Sequence, residues 1–149
     1  MTQYPKAHIM VFDPGKAIGW AGFSEQGINV SMGECSLNEL PTLLQATLPA
    51  IIVFENYRLR PWMAKKQSWS NMPAPKVIGA LEMYAKMHNL ELVSQEPDKK
   101  EVGYAWGNIP KAKNHKDSHD RDALAHGVFY LIENGIRSRG SYHKEKNGS

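Results

Sequence analysis

The chain has 149 residues, of which 42% are hydrophobic, and this predicts one folded domain rather than a disordered or multidomain chain. A formal net charge of +3 is too small to indicate a nucleic-acid partner by itself. The single cysteine, Cys35, excludes an intramolecular disulfide and a multi-cysteine zinc site, and we interpret it as a packing residue near the end of a strand.

No apolar stretch approaches the length of a membrane span, and the first residues lack the apolar segment of a secretory signal. We therefore expect a protein without a membrane partner, in the cytoplasm of a bacterial cell or in an equivalent intracellular compartment.

The first third of the sequence predicts three antiparallel strands. Runs of strand-forming residues at 8–13, 17–23 and 28–35 are separated by Pro-Gly and Gln-Gly turns. Ser36 and Glu39 have the spacing of a capping box and predict that a helix follows, which ends before Pro49.

The middle of the sequence predicts a buried strand and a helix with two apolar sides. The continuous apolar run at 50–55 is typical of a parallel strand covered on both faces. Residues 56–73 have no clear period, and a segment of this length in a small domain favours a functional role. The helix predicted at 75–88 carries one core-facing stripe and a second apolar strip, which consists of Ala80, Met83 and Met87. We expect a partner subunit to cover that strip.

The last third predicts a short strand at 90–93, a short helix at 97–106, a basic loop at 107–116 and a final helix at 119–134. The buried stripe of the final helix is predicted to comprise Leu124, Val128, Leu131 and Ile132. Residues 135–149 are rich in glycine, serine and charge, which predicts a flexible tail.

Acidic side chains stand at the ends of these elements. Asp13 and Glu55 each end an apolar strand, and His119 and Asp122 lie three residues apart at the start of the final helix. Each has an ordinary explanation alone, as a turn residue, an ion-pair partner, a surface histidine or a helix N-terminal acid. Because a buried acid is costly unless it is paired or binds a cation, the set together predicts a shared cation site and metal-dependent phosphoryl transfer. Asp120 remains an alternative to His119.

Three motifs within residues 8–132 resemble those of RuvC-type Holliday junction resolvases, in a compact, phage-like version. The first is Asp13-Pro14-Gly15 followed by Gly19-Trp20, the second is Glu55 at the end of the fourth strand, and the third is the run from His119 to Ala125. The chain departs from the family in a first motif about one residue tighter and in His119, where aspartate is more usual. The order of the predicted elements also matches the RNase H-like fold.

The resemblance implies an α/β protein with a central mixed five-stranded sheet flanked by helices. It also implies a divalent-metal-dependent endodeoxyribonuclease that resolves Holliday junctions or other branched DNA, leaving a 5′-phosphate and a 3′-hydroxyl. Two Mg²⁺ or Mn²⁺ ions about 4 Å apart would be held by the four residues of the predicted cation site, with Asp13 as the bridging ligand and His119 binding a metal or the attacking water. These catalytic and metal-binding residues are Asp13, Glu55, His119 and Asp122.

Basic and aromatic residues near these motifs are the predicted DNA contacts, either to phosphates or, for the tryptophan, by stacking on an opened base. They are Arg58, Arg60, Trp62, Lys65, Lys66, Lys99, Lys100, Lys111 and Lys113. Because resolution of a four-way junction requires two opposed cuts, we also expect a two-fold homodimer.

Two alternatives remain at this stage. The same acidic set would serve an RNase H-like nuclease acting on flaps, forks or RNA–DNA hybrids. A module that binds branched DNA without cutting it would keep the fold, although the complete ligand set argues against this alternative.

Overall fold

The structure, a computed structural model, describes residues 4–57, 73–111 and 118–140. The strands are β1 (Ile9–Asp13), β2 (Ile18–Phe23), β3 (Asn29–Cys35), β4 (Ile51–Glu55) and β5 (Glu91–Gln95). The helices are α1 (Leu40–Thr47), α2 (Pro73–His88), α3 (Asp98–Trp106) and α4 (His119–Glu133). The order of elements is the predicted one, and the prediction of an α/β fold with a mixed five-stranded sheet flanked by helices is confirmed.

The five strands lie in the order β3-β2-β1-β4-β5, so β1 is central. It pairs antiparallel with β2 and parallel with β4, and β4 pairs parallel with β5. Phe12 lies opposite Phe54, and Glu55 lies opposite Gln95. The carboxyl ends of three neighbouring parallel strands therefore meet at one edge of the sheet, where Asp13, Glu55 and Gln95 are the last residues.

Each face of the sheet is covered by a pair of helices. Alternate side chains of a strand point to opposite faces, so Met10 and Phe12 pack with α1 and α2, whereas Ile9 and Val11 pack with α3 and α4. The run at 51–54 contributes to both cores, as the prediction of a strand covered on both sides requires.

More residues of helix α4 are buried than the four of the predicted stripe. Every residue from Asp122 to Leu131 is buried, whereas Ile132 is only partly buried. Two glycines permit this close packing. A Cβ atom at Gly19 would lie 2.0 Å from the carbonyl oxygen of His119, and one at Gly103 would lie 1.9 Å from that of Ala125. Glycine at these positions lets β2 and α3 approach the α4 backbone directly.

Some boundaries differ from the prediction. Ser36 and Glu39 do exchange the two capping-box hydrogen bonds, but the α-helix begins only at Leu40, after a turn. Helix α2 begins at Pro73, two residues early, because proline is compatible with the first turn of a helix. Strand β5 continues to Gln95 because its ladder with β4 extends to Glu55.

The segment after α4 turns back onto α3. The backbone amide of Gly140 donates a 2.7 Å hydrogen bond to the carbonyl of Trp106, and the Arg139 guanidinium lies 4.0 Å from the centre of the Trp106 ring. Residues 141–149 lie outside the described residues, and a flexible tail at 135–149 stays a prediction. Among the described helices, none is long and apolar enough to cross a membrane.

Candidate active site

The four predicted ligands come to the same edge of the sheet. Asp13 is only 5% exposed and Asp122 only 8%, while Glu55 is partly buried. His119, at the first position of α4, places Nδ1 3.2 Å from Oδ2 of Asp13. Glu55 and Asp122 are joined through Lys100. The strand ends and the helix start therefore form one polar cluster.

Lys100 of α3 lies between two of the carboxylates. Its Nζ atom is 3.3 Å from Oε1 of Glu55 and 3.8 Å from Oδ2 of Asp122. The structure places the ammonium group of Lys100 among the acidic residues, and its role as a DNA contact stays a prediction. Tyr104, one turn further along α3, donates a 2.7 Å hydrogen bond from its hydroxyl to Oδ1 of Asp122.

Glu55 has a second partner in the buried His126, whose Nε2 lies 2.8 Å from Oε1 of Glu55. The other ring nitrogen, Nδ1, lies 2.7 Å from Oε1 of Gln95 at the end of β5. His126 is 0% exposed, and Gln95 is buried as well. His126 belongs to none of the three sequence motifs, and the structure places it in direct contact with a predicted ligand.

The charges of this cluster are unevenly compensated. Burial raises the pKa of Asp13, and the negative charges of Glu55 and Asp122 raise it further, against the hydrogen bond from His119 and the charge of Lys100. Burial also disfavours the Glu55 carboxylate, but the hydrogen bond from His126 and the charge of Lys100 lower its pKa overall. The pKa of Lys100 is raised, because its acidic neighbours outweigh the effect of its burial. Glu55 and Asp122 therefore share one ammonium, and Asp13 has a shortage of positive charge.

The cluster suits a hard divalent cation. It offers three carboxylates and one imidazole as ligands, and the positive charges near the carboxylates do not balance their negative charges. In the described part of the chain, no group of three His, Cys, Asp or Glu side chains is arranged so that it could hold a metal ion without moving. The groups are instead joined pairwise, Asp13 to His119 and the two other acids to Lys100.

Two further acidic residues surround His119. The carboxylate of Glu34, on β3, accepts a 3.2 Å hydrogen bond from the backbone amide of His119. Asp120, the alternative to His119, accepts a 2.9 Å hydrogen bond from the backbone amide of Arg121. The imidazole rather than Asp120 is thus the group that the helix start presents to Asp13.

Burial, with a contribution from Glu39, raises the pKa of Cys35 to about 11, which agrees with a packing role for this thiol.

The remaining predicted DNA contacts divide into two groups. Lys99 lies 5.7 Å from the centre of the Phe129 ring, and Lys111 forms an ion pair with Glu101 and lies 5.1 Å from the centre of the Tyr104 ring. The others lie outside the described residues: Arg58, Arg60, Trp62, Lys65, Lys66 and Lys113.

Sequence reasoning missed His126, Gln95, Tyr104 and Glu34 as members of the cluster. His126 carried a usable signal, because it lies four residues after Asp122 and seven after His119, on the same face of a helix. The signal for Gln95 was weaker. It is a polar residue at the end of β5, and the strand predicted from sequence ends two residues earlier, at 93.

No protein-family model matches the chain, and no curated protein matches it by sequence. Solved structures do. The RuvC protein of T. thermophilus in complex with a Holliday junction substrate has a TM-score of 0.55 at 12% identity, over 88% of this chain and 98% of that one. The Fowlpox virus resolvase in complex with Holliday junction DNA has a TM-score of 0.59 at 12% identity, over 84% and 99%. The yeast mitochondrial Holliday junction resolvase Ydc2 has a TM-score of 0.52 at 15% identity, over 96% and 85%.

These similarities establish the fold. The chain has the RNase H-like fold in the form found in RuvC-type resolvases, as its motifs indicated. The acidic cluster lies at the carboxyl edge of its parallel strands, the end of such sheets where ligands commonly bind.

Proposed function

We propose that the protein is a divalent-metal-dependent endodeoxyribonuclease that cuts branched DNA, with the four-way junction as its preferred substrate. The observation that carries this proposal is the meeting of Asp13, Glu55, Asp122 and His119 at one edge of the sheet. The similar folds of proteins solved with Holliday junction DNA support the choice of substrate.

Asp13, Glu55, Asp122 and His119 would hold Mg²⁺ or Mn²⁺. The ions would supply Lewis-acid stabilisation of the phosphodiester and of the attacking water. The protein's own residues orient the ligands: Tyr104 holds one oxygen of Asp122, and His119 holds one oxygen of Asp13. Because Nδ1 of His119 contacts Asp13 and the side chain is 42% exposed, the other ring nitrogen, Nε2, would either bind a metal or accept a proton from the attacking water.

The test is cleavage of end-labelled DNA in Mg²⁺ and in Mn²⁺. The substrates are a four-way junction, a flap, a replication fork, a linear duplex and an RNA–DNA hybrid. We expect paired cuts at symmetric positions in the junction and little cleavage of the duplex. Preferred cleavage of the flap, fork or hybrid would move the function to another RNase H-like nuclease. Tight junction binding with no cut in either metal would leave a binding module only.

We further propose that the protein works as a homodimer, through the apolar groove between α1 and α2. Met83 and Met87 of the predicted strip are 63% and 71% exposed, although the opposite side of α2 is buried in the core. The strip continues onto Leu37, Pro41 and Leu44 of the α1 region, which line the same groove. Exposed apolar surface of this kind marks an interaction site, and a two-fold dimer would present two active sites to a symmetric junction.

Met83→Glu is expected to weaken the dimer roughly 100-fold, because a two-fold interface would bury the new charge twice. Sedimentation velocity at micromolar concentration measures the change. The matched control is Ile28→Glu, which places the same charge on an equally apolar residue, 54% exposed, before β3. A wild-type protein that sediments as a monomer would contradict the proposed dimer.

A further inference from the structure

His126 is the one histidine in the described residues that is 0% exposed and has hydrogen-bond partners on both ring nitrogens. It lies within α4, and neither the fold nor the four-ligand set requires an imidazole at this position. Its neighbours in the helix, Ala125 and Val128, belong to the hydrophobic core. Its contacts therefore need a separate explanation.

The two contacts determine where the ring carries hydrogen. The side-chain amide of Gln95 can present either its oxygen or its nitrogen to Nδ1. If the nitrogen faces Nδ1, it donates, and the single hydrogen of a neutral ring resides on Nε2. If the oxygen faces Nδ1, that nitrogen donates, and the contact of Nε2 with a carboxylate requires a second hydrogen. In both arrangements an Nε2 hydrogen points at Oε1 of Glu55, 2.8 Å away.

The position of the donor matters for Glu55. The ring cannot move, because it is buried and held at Nδ1 by the end of β5, the strand next to Glu55 in the sheet. Lys100 contacts the same oxygen, Oε1, at 3.3 Å. Among the described residues both contacts of Glu55 go to Oε1, so Oε2 is the oxygen that a ligand would use.

We infer that His126, oriented by Gln95, is a positioning residue that holds the Glu55 carboxylate in the orientation needed to bind a divalent cation. This inference rests on the proposed function, because it assigns Glu55 to a metal. Hydrogen-bond donors behind a metal ligand fix the ligand's orientation, and their loss typically weakens metal binding about 10- to 100-fold.

The experiment is calorimetric titration of the full-length protein with Mn²⁺. His126→Leu removes the donor and is expected to weaken Mn²⁺ binding by about 10- to 100-fold. His126→Gln retains an N–H donor of similar reach and is expected to recover most of the affinity. Val128→Ala, a truncation in the same buried helix that does not touch Glu55, is the control for lost packing. It is expected to lose thermal stability and keep the wild-type affinity.

Nitrogen NMR of the wild-type histidines provides a second readout that needs no variant and no metal. We expect Nε2 of His126 to carry a hydrogen in the metal-free protein. An Nε2 without hydrogen would overturn the inference, even if His126→Leu fails to fold. Equal Mn²⁺ affinity of His126→Leu and wild type would overturn it too, while leaving Asp13-dependent cleavage and the proposed function in place. A wild-type protein that neither binds Mn²⁺ nor cuts any substrate would overturn the proposed function and this inference together.

Discussion

Asp13→Asn is expected to lower the rate of junction cleavage about 1,000-fold or more, because it removes the central carboxylate of the cluster, and each factor of ten corresponds to about 1.4 kcal/mol of transition-state stabilisation. Single-turnover cleavage with excess protein measures this loss without a contribution from product release. Junction binding without metal should persist, since the basic residues that we expect to contact phosphate are unchanged.

The same substitution should stabilise the metal-free protein at neutral pH. The folded-state pKa of Asp13 is raised above the ordinary value of 3.8, so the folded state disfavours its ionised form. Well below pH 3.8 the Asp13 carboxyl group is protonated in both the folded and the unfolded state, so it does not change the free energy of unfolding. As the pH rises through the higher folded-state pKa, the wild type loses stability that the Asp13→Asn variant would keep. Thermal unfolding of both proteins between about pH 3.8 and neutral pH should therefore show a difference in stability that grows with pH.

Asp120→Asn is the matched control for both effects, because it makes the same change in the first turn of α4, at a carboxylate that bonds only a local backbone amide in the described contacts. We expect near wild-type cleavage and no comparable gain in stability. Cleavage by Asp13→Asn at the wild-type rate would contradict the site. Loss of cleavage in Asp120→Asn would show that Asp120 takes the role given to His119.

Lys100→Met is expected to destabilise the metal-free protein by about 3 kcal/mol, because it removes the positive charge shared by Glu55 and Asp122. That value is the lower end for a broken buried ion pair, as the Lys100 side chain is 25% exposed. Methionine keeps most of the side-chain volume, so the loss reports charge rather than packing. Chemical denaturation in a buffer with a metal chelator measures it.

Mg²⁺ or Mn²⁺ should restore more stability to Lys100→Met than to the wild type. In the wild type the ammonium competes with the ion for the same carboxylates, whereas in the variant the ion binds without a competitor and stabilises the folded state by mass action. Lys99→Met is the matched control, because the Lys99 ammonium lies near the Phe129 ring and forms no ion pair with Glu55 or Asp122 in the described contacts. Equal stability of the two variants without metal would contradict the ion pairs of Lys100.

The local patterns of this sequence were sufficient to predict the elements and their order. The apolar runs that end at Asp13 and Glu55 became neighbouring parallel strands, and the capping-box residues Ser36 and Glu39 bonded each other. Such features depend on side-chain periodicity and on contacts within a few residues, which a single sequence contains. Boundaries were less well predicted, because the length of β5 depends on its pairing with β4.

The partners within the site required the tertiary structure. The sequence contains no sign that Lys100 pairs with the carboxylates; the approach of α3 to α4, which Gly103 permits, brings it to them. His126 was assigned no role, yet the strand order places Glu55 and Gln95 side by side and within reach of its two nitrogens. The sequence by itself determined which residue types stand at the ends of the elements. Only the packing of distant elements decided which charges meet, because these contacts join residues 18 to 106 positions apart in the chain.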